Sequence, residues 1–329
     1  FMEAWMIIIG VVALLGAITL ILAYICYRMT FLAKRIDTPR TPEQLLPKGE
    51  IYKPYWDQIL AWIKECRQLN PEEVWITSID GLRLCGKYYE YSPDAPMEIM
   101  FHGYRGNAEG DLCGGVQRAF QLGRSALVVD QRTSGKSEGH VIGFGITESK
   151  DCLEWARYAS LRWPNRPLIL TGISMGAATV MTAAGMDLPK QVAYVLADCG
   201  YSCAKDVIKH VIASMQLPPN LCYPFVRLGA YIYGHFRLEE TSPIESLRQA
   251  KVPVIFFHGE KDTFVPYDMS KENYEACITH KRLVSVPEAG HGQAFLVDPE
   301  GYLQNLAQFT RECGVECGYY GHSGENVIS

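Results

Sequence analysis

Apolar residues recur along this chain in three rhythms, and each rhythm predicts a different kind of element. From Ala4 to Tyr27 ("AWMIIIGVVALLGAITLILAYICY") there is no polar face and no charged residue. As a helix rising ~1.5 Å per residue, that run outreaches the ~30 Å hydrocarbon core of a bilayer. Trp5, Tyr24 and Tyr27 lie near its ends, where aromatic rings favour the interface. Core helices are rarely apolar on every face for this length. A cleaved leader would open on basic residues and close on small ones. The run is therefore read as a single membrane anchor over residues 4–27. Residues 28–53, polar and proline-rich ("DTPRTPEQLLPKGE"), are read as a tether.

The second rhythm is helical. From Pro54 to Leu69, apolar positions at Tyr55, Ile59, Trp62 and Ile63 predict a helix with proline near its start. The third begins near Glu73, where "EEVWITSIDGLRLCGKYYEY" predicts two strands joined at Asp80-Gly81. Short apolar runs then alternate with helical patterns. "MEIMF", "ALVVD", "LILTG", "VAYVLAD", "VPVIFFHG" and "RLVSVP" are the strands, and helices are expected around 111–122, 146–163, 175–186, 266–278 and 298–312. Such alternation predicts an α/β fold: a mostly parallel central sheet with helices on both faces and the hairpin at one edge. Between about 201 and 250 the alternation stops. "AKDVIKHVIASM" and "LCYPFVRLGAYIYGHF" predict helices inserted as a cap over the C-terminal edge of the sheet. The α/β domain is thus placed at 54–312, with a polar, glycine-rich tail at 313–329 expected to be mobile.

Composition narrows the function. The chain has 329 residues, 48% of them hydrophobic and 20% charged, with a net charge of −5. No basic stripe stands ready to neutralise phosphates, so no nucleic-acid partner is expected. The eleven cysteines are an odd number, one lies in the anchor and several fall in apolar patterns, as reduced core cysteines do. Cys313 and Cys317 are a lone pair without zinc-ligand spacing, and no metal is expected. Arg28, Lys34, Arg35, Arg40 and Lys48 follow the anchor while only Glu3 precedes it, which puts the domain on the cytoplasmic side by the positive-inside rule.

The chemistry starts in "LILTGISMGAATVMTAAG". Ser174 sits where a strand becomes a helix, between Gly172 and Gly176. A sharp turn there strains the serine backbone, demands glycine at its flanks, and thrusts the hydroxyl into the open at a helix N-terminus. A serine hydroxyl is a poor nucleophile and needs a base, which in turn needs a carboxylate. His291, in the glycine-bracketed "PEAGHGQAF" after the last strand, is the candidate base. Asp262, in "HGEKDTFVP", is the favoured acid, with Asp198 after "VAYVLAD" as its rival. His102, His258 and Asp130 are given structural roles at strand ends. An oxyanion needs two backbone donors, assigned to the N–H of Met175 and that of Tyr104 in "HGYRGN".

These motifs, from "HGYRGN" through "DQRTSGKSEG", "GISMG" and "HGEKDTFVP" to "AGHG", resemble the α/β-hydrolase superfamily over about residues 73–312. The resemblance is strongest to its serine-aminopeptidase-like and monoglyceride-lipase-like branch, and within that to bacterial membrane-anchored members. It implies a serine hydrolase of esters, thioesters or amides without metal or organic cofactor. Thr133 departs from the branch, which has glycine there. The apolar cap and anchor favour an acyl or lipid-like ester. An amidase or aminopeptidase, for which Glu239, Glu240 and Glu245 are the available acids, and an acyl thioesterase stay open. So does a binding or scaffold protein on this fold.

Overall fold

A computed structural model describes residues 2–33 and 40–319 of the chain. Eight strands form one sheet: β1 (Glu72–Thr77), β2 (Arg83–Tyr89), β3 (Met97–Phe101), β4 (Ser125–Val129), β5 (Leu168–Ile173), β6 (Val192–Asp198), β7 (Val254–Gly259) and β8 (Lys281–Val286). Their order is β1-β2-β4-β3-β5-β6-β7-β8. The hairpin β1–β2 and the pair β2–β4 are antiparallel, and every other neighbour is parallel. Strands β3, β4 and β7 are buried at every position. That is why their sequences are mostly apolar rather than alternating: both faces are covered.

Helices cover both faces of the sheet. α2 (Trp56–Gln68), α3 (Ala108–Gln121) and α11 (Pro299–Glu312) lie on one face. α4 (Ile146–Arg162) and α5 (Met175–Ala184) lie on the other. Alternation along β3 shows the division: Ile99 and Phe101 join the cluster with Trp155 of α4 and Val180 of α5, whereas Met100 joins Val116 of α3. Glu98, fully buried between them, pairs with Arg118 and Arg124 and accepts from Thr171 Oγ1 at 2.8 Å, tying β3 to β5. Between β6 and β7 come α6 (Ala204–Ser214), α7 (Pro219–Ile232) and the short α8 (Pro243–Leu247). α9 (Tyr267–Ala276) and the single turn α10 (Ala294–Val297) complete the set.

The first helix, α1 (Met2–Thr30), is long and apolar enough to cross a membrane. Its first five turns are exposed, but its last turns are docked on the domain. Ala23 is buried against α7, where a side chain at Gly229 would meet the Ala23 carbonyl at 2.5 Å. Only glycine permits that approach. The Tyr233 hydroxyl reaches the Leu20 carbonyl at 3.2 Å. Just past the helix, Phe31 is fully buried, edge-on to Phe144 and Phe236, and Leu32 bridges to Val141.

The segment read as a tether also lies on the domain from residue 40 onward. It forms 3₁₀ turns at Pro42–Leu45 and Glu50–Tyr55, buries Leu45, and offers the Ile51 carbonyl to Gln293 Nε2 at 2.7 Å. Prolines and charges are the sequence features on which this segment is read as a tether. They carry no signal for carbonyls that serve as acceptors to a distant loop. Residues 34–39, including Lys34 and Arg35, lie outside the described residues. The first part of the tail packs as well: Val315 is buried and the Gly318 N–H donates to the Leu122 carbonyl. Residues 320–329 lie outside the described residues.

Candidate active site

The turn between β5 and α5 explains its own glycines. Ser174 has φ 57° and ψ −118°, a conformation side chains rarely adopt. A Cβ at Gly172 would lie 2.0 Å from the Gly176 carbonyl, and one at Gly176 2.0 Å from the Phe101 carbonyl. Larger residues at either position would drive α5 off the sheet. The Ser174 N–H donates to the Asp198 carbonyl at 2.8 Å, pinning the turn to the end of β6.

The structure brings Ser174, His291 and Asp262 into one hydrogen-bonded chain. Ser174 Oγ is 2.9 Å from His291 Nε2, and His291 Nδ1 is 2.7 Å from Asp262 Oδ2. The carboxylate can only accept, so Nδ1 carries the imidazole proton and Nε2 is left to accept from the serine hydroxyl. Asp262 Oδ1 accepts from the Phe264 and Val265 amides, each at 2.9 Å. Its Oδ2 also takes His258 Nε2 at 3.1 Å, while His258 Nδ1 meets Ser270 Oγ at 2.6 Å. Desolvation opposes the charge on Asp262. The bonds from His258 and His291, the nearby His291 charge and the Val265 amide outweigh it, and hold the carboxyl well below the usual range.

Asp198 is not part of this chain. Its Oδ2 accepts from the Tyr302 hydroxyl at 2.9 Å and its Oδ1 has no partner among the described residues. Burial pushes its carboxyl up. His102 shapes a loop: its Nε2 accepts from the Gln131 N–H, so Nδ1 donates to the Gly103 carbonyl. Asp130 caps α3 by accepting from the Ala108 N–H at 3.1 Å. Among the described residues, the N–H groups of Tyr104 and Met175 donate to no protein acceptor. They belong to the two backbone stretches that meet beside Ser174, since a side chain on Gly103 would begin 3.5 Å from Ser174 Cβ.

Several residues near this chain gave no signal in the sequence. The Tyr52 hydroxyl donates to the His291 carbonyl at 2.8 Å, and Gln293 Oε1 accepts from the Gly290 N–H, so the histidine loop is held from both sides. Asp111, in the first turn of α3, accepts the Gly103 N–H at 3.1 Å. The proposed cap acids are engaged elsewhere. Glu239 takes Tyr223 and Arg227, Glu240 takes Lys150, and Glu245 is exposed. Cys199, Asp262 and His291 place three donor atoms within 4.8 Å of one another. Burial holds the Cys199 thiol protonated and both Asp262 oxygens are already committed, so this trio offers a cation little charge.

Thr133 has φ 75°, in the region that favours glycine. Replacing it with glycine removes roughly 1–2 kcal/mol of backbone strain and adds ~0.5–1 kcal/mol of unfolded-state entropy cost. Thr133→Gly is expected to stabilise the protein by under ~1 kcal/mol, read as a higher denaturant midpoint. A lower midpoint would mean that the threonine side chain contributes more than its strain costs.

Around Met175 runs an apolar cluster that includes Ile142, Ile146 and Tyr201, continues through Val207, Ile208 and Val226 of the cap helices, and ends at Phe31 and Tyr27. The end of α1 is bonded directly into the loop after β3. The Tyr104 hydroxyl donates to the Thr30 carbonyl at 2.7 Å, and Arg105 donates to the Met29 carbonyl at 2.6 Å. These are last-turn carbonyls with no partner inside a helix, and Arg105 adds a cation at the negative end of the helix dipole.

No family model matches the chain. It is 26% identical over 227 residues to the uncharacterized protein YqkD of Bacillus subtilis (strain 168), a match covering 68% of this chain and 74% of that protein. It is 25% identical over 237 residues to the lysophosphatidylserine lipase ABHD12 of Danio rerio, covering 65% of this chain and 59% of that one. Among solved structures, the Pyrococcus furiosus esterase Pf2001 superposes with a TM-score of 0.64 at 20% identity, covering 86% of this chain and 98% of the esterase. The fold is therefore the α/β-hydrolase fold, carrying a long apolar N-terminal helix.

Proposed function

We propose that this protein is a membrane-anchored serine hydrolase that cleaves carboxylic esters of acyl or lipid-like substrates. The observation that carries the reading is the hydrogen-bonded chain Ser174–His291–Asp262, with the serine on a strained strand-to-helix turn. In this reading Ser174 Oγ attacks the acyl carbonyl while His291 Nε2 takes its proton. The N–H groups of Met175 and Tyr104 receive the oxyanion, and Asp262 stabilises the imidazolium. The C–O bond then breaks, His291 gives its proton to the departing alcohol, and a water activated by the same histidine releases the acid and restores the serine.

An acyl substrate is favoured by the apolar cluster that starts at Met175 and by its continuity with α1. The zebrafish relative is named for a lipid substrate, which supports the same class. α1 has 29 residues, so it outruns a bilayer core of ~30 Å by roughly two to three turns, and its docked end would lie at the headgroup level. A cytoplasmic domain is supported by Arg28, Arg40 and Lys48 beyond the anchor and by eleven free cysteines.

The test is turnover by the full-length protein in lipid nanodiscs beside its Ser174→Ala variant. The panel holds short- to long-chain esters, a monoacylglycerol, an acyl thioester and an aminoacyl amide. The expected result is serine-dependent hydrolysis that favours the longer acyl esters. Equal behaviour of the two proteins on every substrate would overturn the enzyme reading and bring forward a binding role for the same cleft.

A further inference from the structure

We infer that Asp111 forms a subsite beside the nucleophile for a cationic group, an ammonium carried by the ester substrate. The inference deepens the hydrolase reading and rests on it.

Three observations place the carboxylate. Asp111 Oδ2 and Ser174 Cβ flank the same residue, each 3.5 Å from the point where a side chain on Gly103 would begin. The carboxylate lies across Gly106, where a Cβ would collide with Oδ2, and accepts the Gly103 N–H, so its position is fixed by the loop that also carries Tyr104. Finally, the residue is open to solvent although its neighbours Ala108, Gly110 and Leu112 are buried.

Asp111 is thus reachable from solvent beside the loop that carries Tyr104. Desolvation pushes the Asp111 carboxyl up despite the exposure, with His102, the Gly103 amide and His291 pulling it back. A carboxylate in that setting forms no ion pair with Lys or Arg among the described residues. An incoming ammonium would meet a carboxylate that the Gly103 amide holds in place. Of the cap acids, Glu239 and Glu240 are paired at the surface with Arg227 and Lys150.

The experiment uses full-length protein and two isosteric pairs of esters. One pair differs in the alcohol, choline butyrate against 3,3-dimethylbutyl butyrate. The other differs in the acyl chain, ethyl 5-(dimethylamino)pentanoate against ethyl 6-methylheptanoate. The expected result is a preference for the cationic member of at least one pair of about tenfold in kcat/KM, from charge attraction alone for the quaternary choline ester and from charge attraction with a hydrogen bond for the protonated dimethylamino ester. Asp111→Asn, which can still accept from Gly103, is expected to erase that preference while leaving the neutral member within about threefold. The same pairs are compared by equilibrium binding to Ser174→Ala, with and without Asp111→Asn, so that the subsite is read without turnover. Absence of any cation preference in the parent proteins would overturn the proposal. So would a preference that survives Asp111→Asn, or a variant that loses both members equally, which would mark Asp111 as a loop support only. Selective, Asp111-dependent binding without turnover would retain the subsite and overturn the esterase reading instead.

Discussion

Asp262→Asn is expected to lower kcat on the order of 10⁴-fold while the protein stays folded, because the asparagine cannot serve all four of its neighbours. Asp262 accepts two backbone amides on Oδ1 and two imidazoles on Oδ2. An amide side chain has one accepting end. If its oxygen stays with Phe264 and Val265, its NH₂ points at His291 Nδ1 and forces the proton to Nε2, where it can no longer accept from Ser174. If it flips, two buried amide donors face another donor. The first arrangement costs less, so the fold survives and the tautomer is wrong. Asp198→Asn is the matched control: that carboxylate bonds only Tyr302 among the described side chains, and its replacement is expected to leave kcat within a few-fold. Steady-state kinetics on one short-chain ester checks both. A loss for Asp198→Asn comparable to that for Asp262→Asn would return the rival acid to the catalytic role.

The different fates of these two aspartates show what a sequence exposes about such a site. Gly172, Ser174 and Gly176 announce themselves because backbone geometry restricts three nearby positions at once, and the restriction is written in residue types. The eight-strand sheet was visible for a related reason: burial on both faces makes β3, β4 and β7 mostly apolar rather than alternating. His291 and Asp262 were reachable through chain order and turn chemistry. Nothing local distinguishes Asp111 from any acid in a helix's first turn, since its meaning lies in the Gly103 amide above it and the open space beside it. Tyr52 and Phe31 were hidden more deeply. One donates to a carbonyl of the histidine loop far along the chain, and the other fills a socket between Phe144 and Phe236. A pattern of apolar and polar positions records that a residue is buried, never against what.

Phe31 and its neighbours decide whether α1 is a leash or a working part. A leash predicts that a chain beginning at Arg40 hydrolyses a soluble short-chain ester as well as the full-length protein does. The contacts predict otherwise. Removing α1 and the residues just after it empties the socket of Phe31, takes away Thr30 and Met29 as acceptors for Tyr104 and Arg105, and strips the cluster beside Met175. Losing a buried phenylalanine costs ~3–5 kcal/mol, and a displacement of ~1 Å in the oxyanion loop lowers the rate about 10²-fold. The truncated chain is therefore expected to be destabilised by at least ~3 kcal/mol and to lose about 10²-fold in kcat on a substrate that needs no membrane. Two full-length variants separate support of the loop from loss of the fold. Phe31→Ala is expected to carry most of the stability loss. Tyr104→Phe keeps the backbone N–H but loses the bond to Thr30, and is expected to lower kcat by a few-fold with a stability change of ~1 kcal/mol. Full activity in the truncated chain would make the docking incidental. Loss of kcat in both Tyr104→Phe and the truncation would instead make the loop after β3 something that α1 itself holds in place.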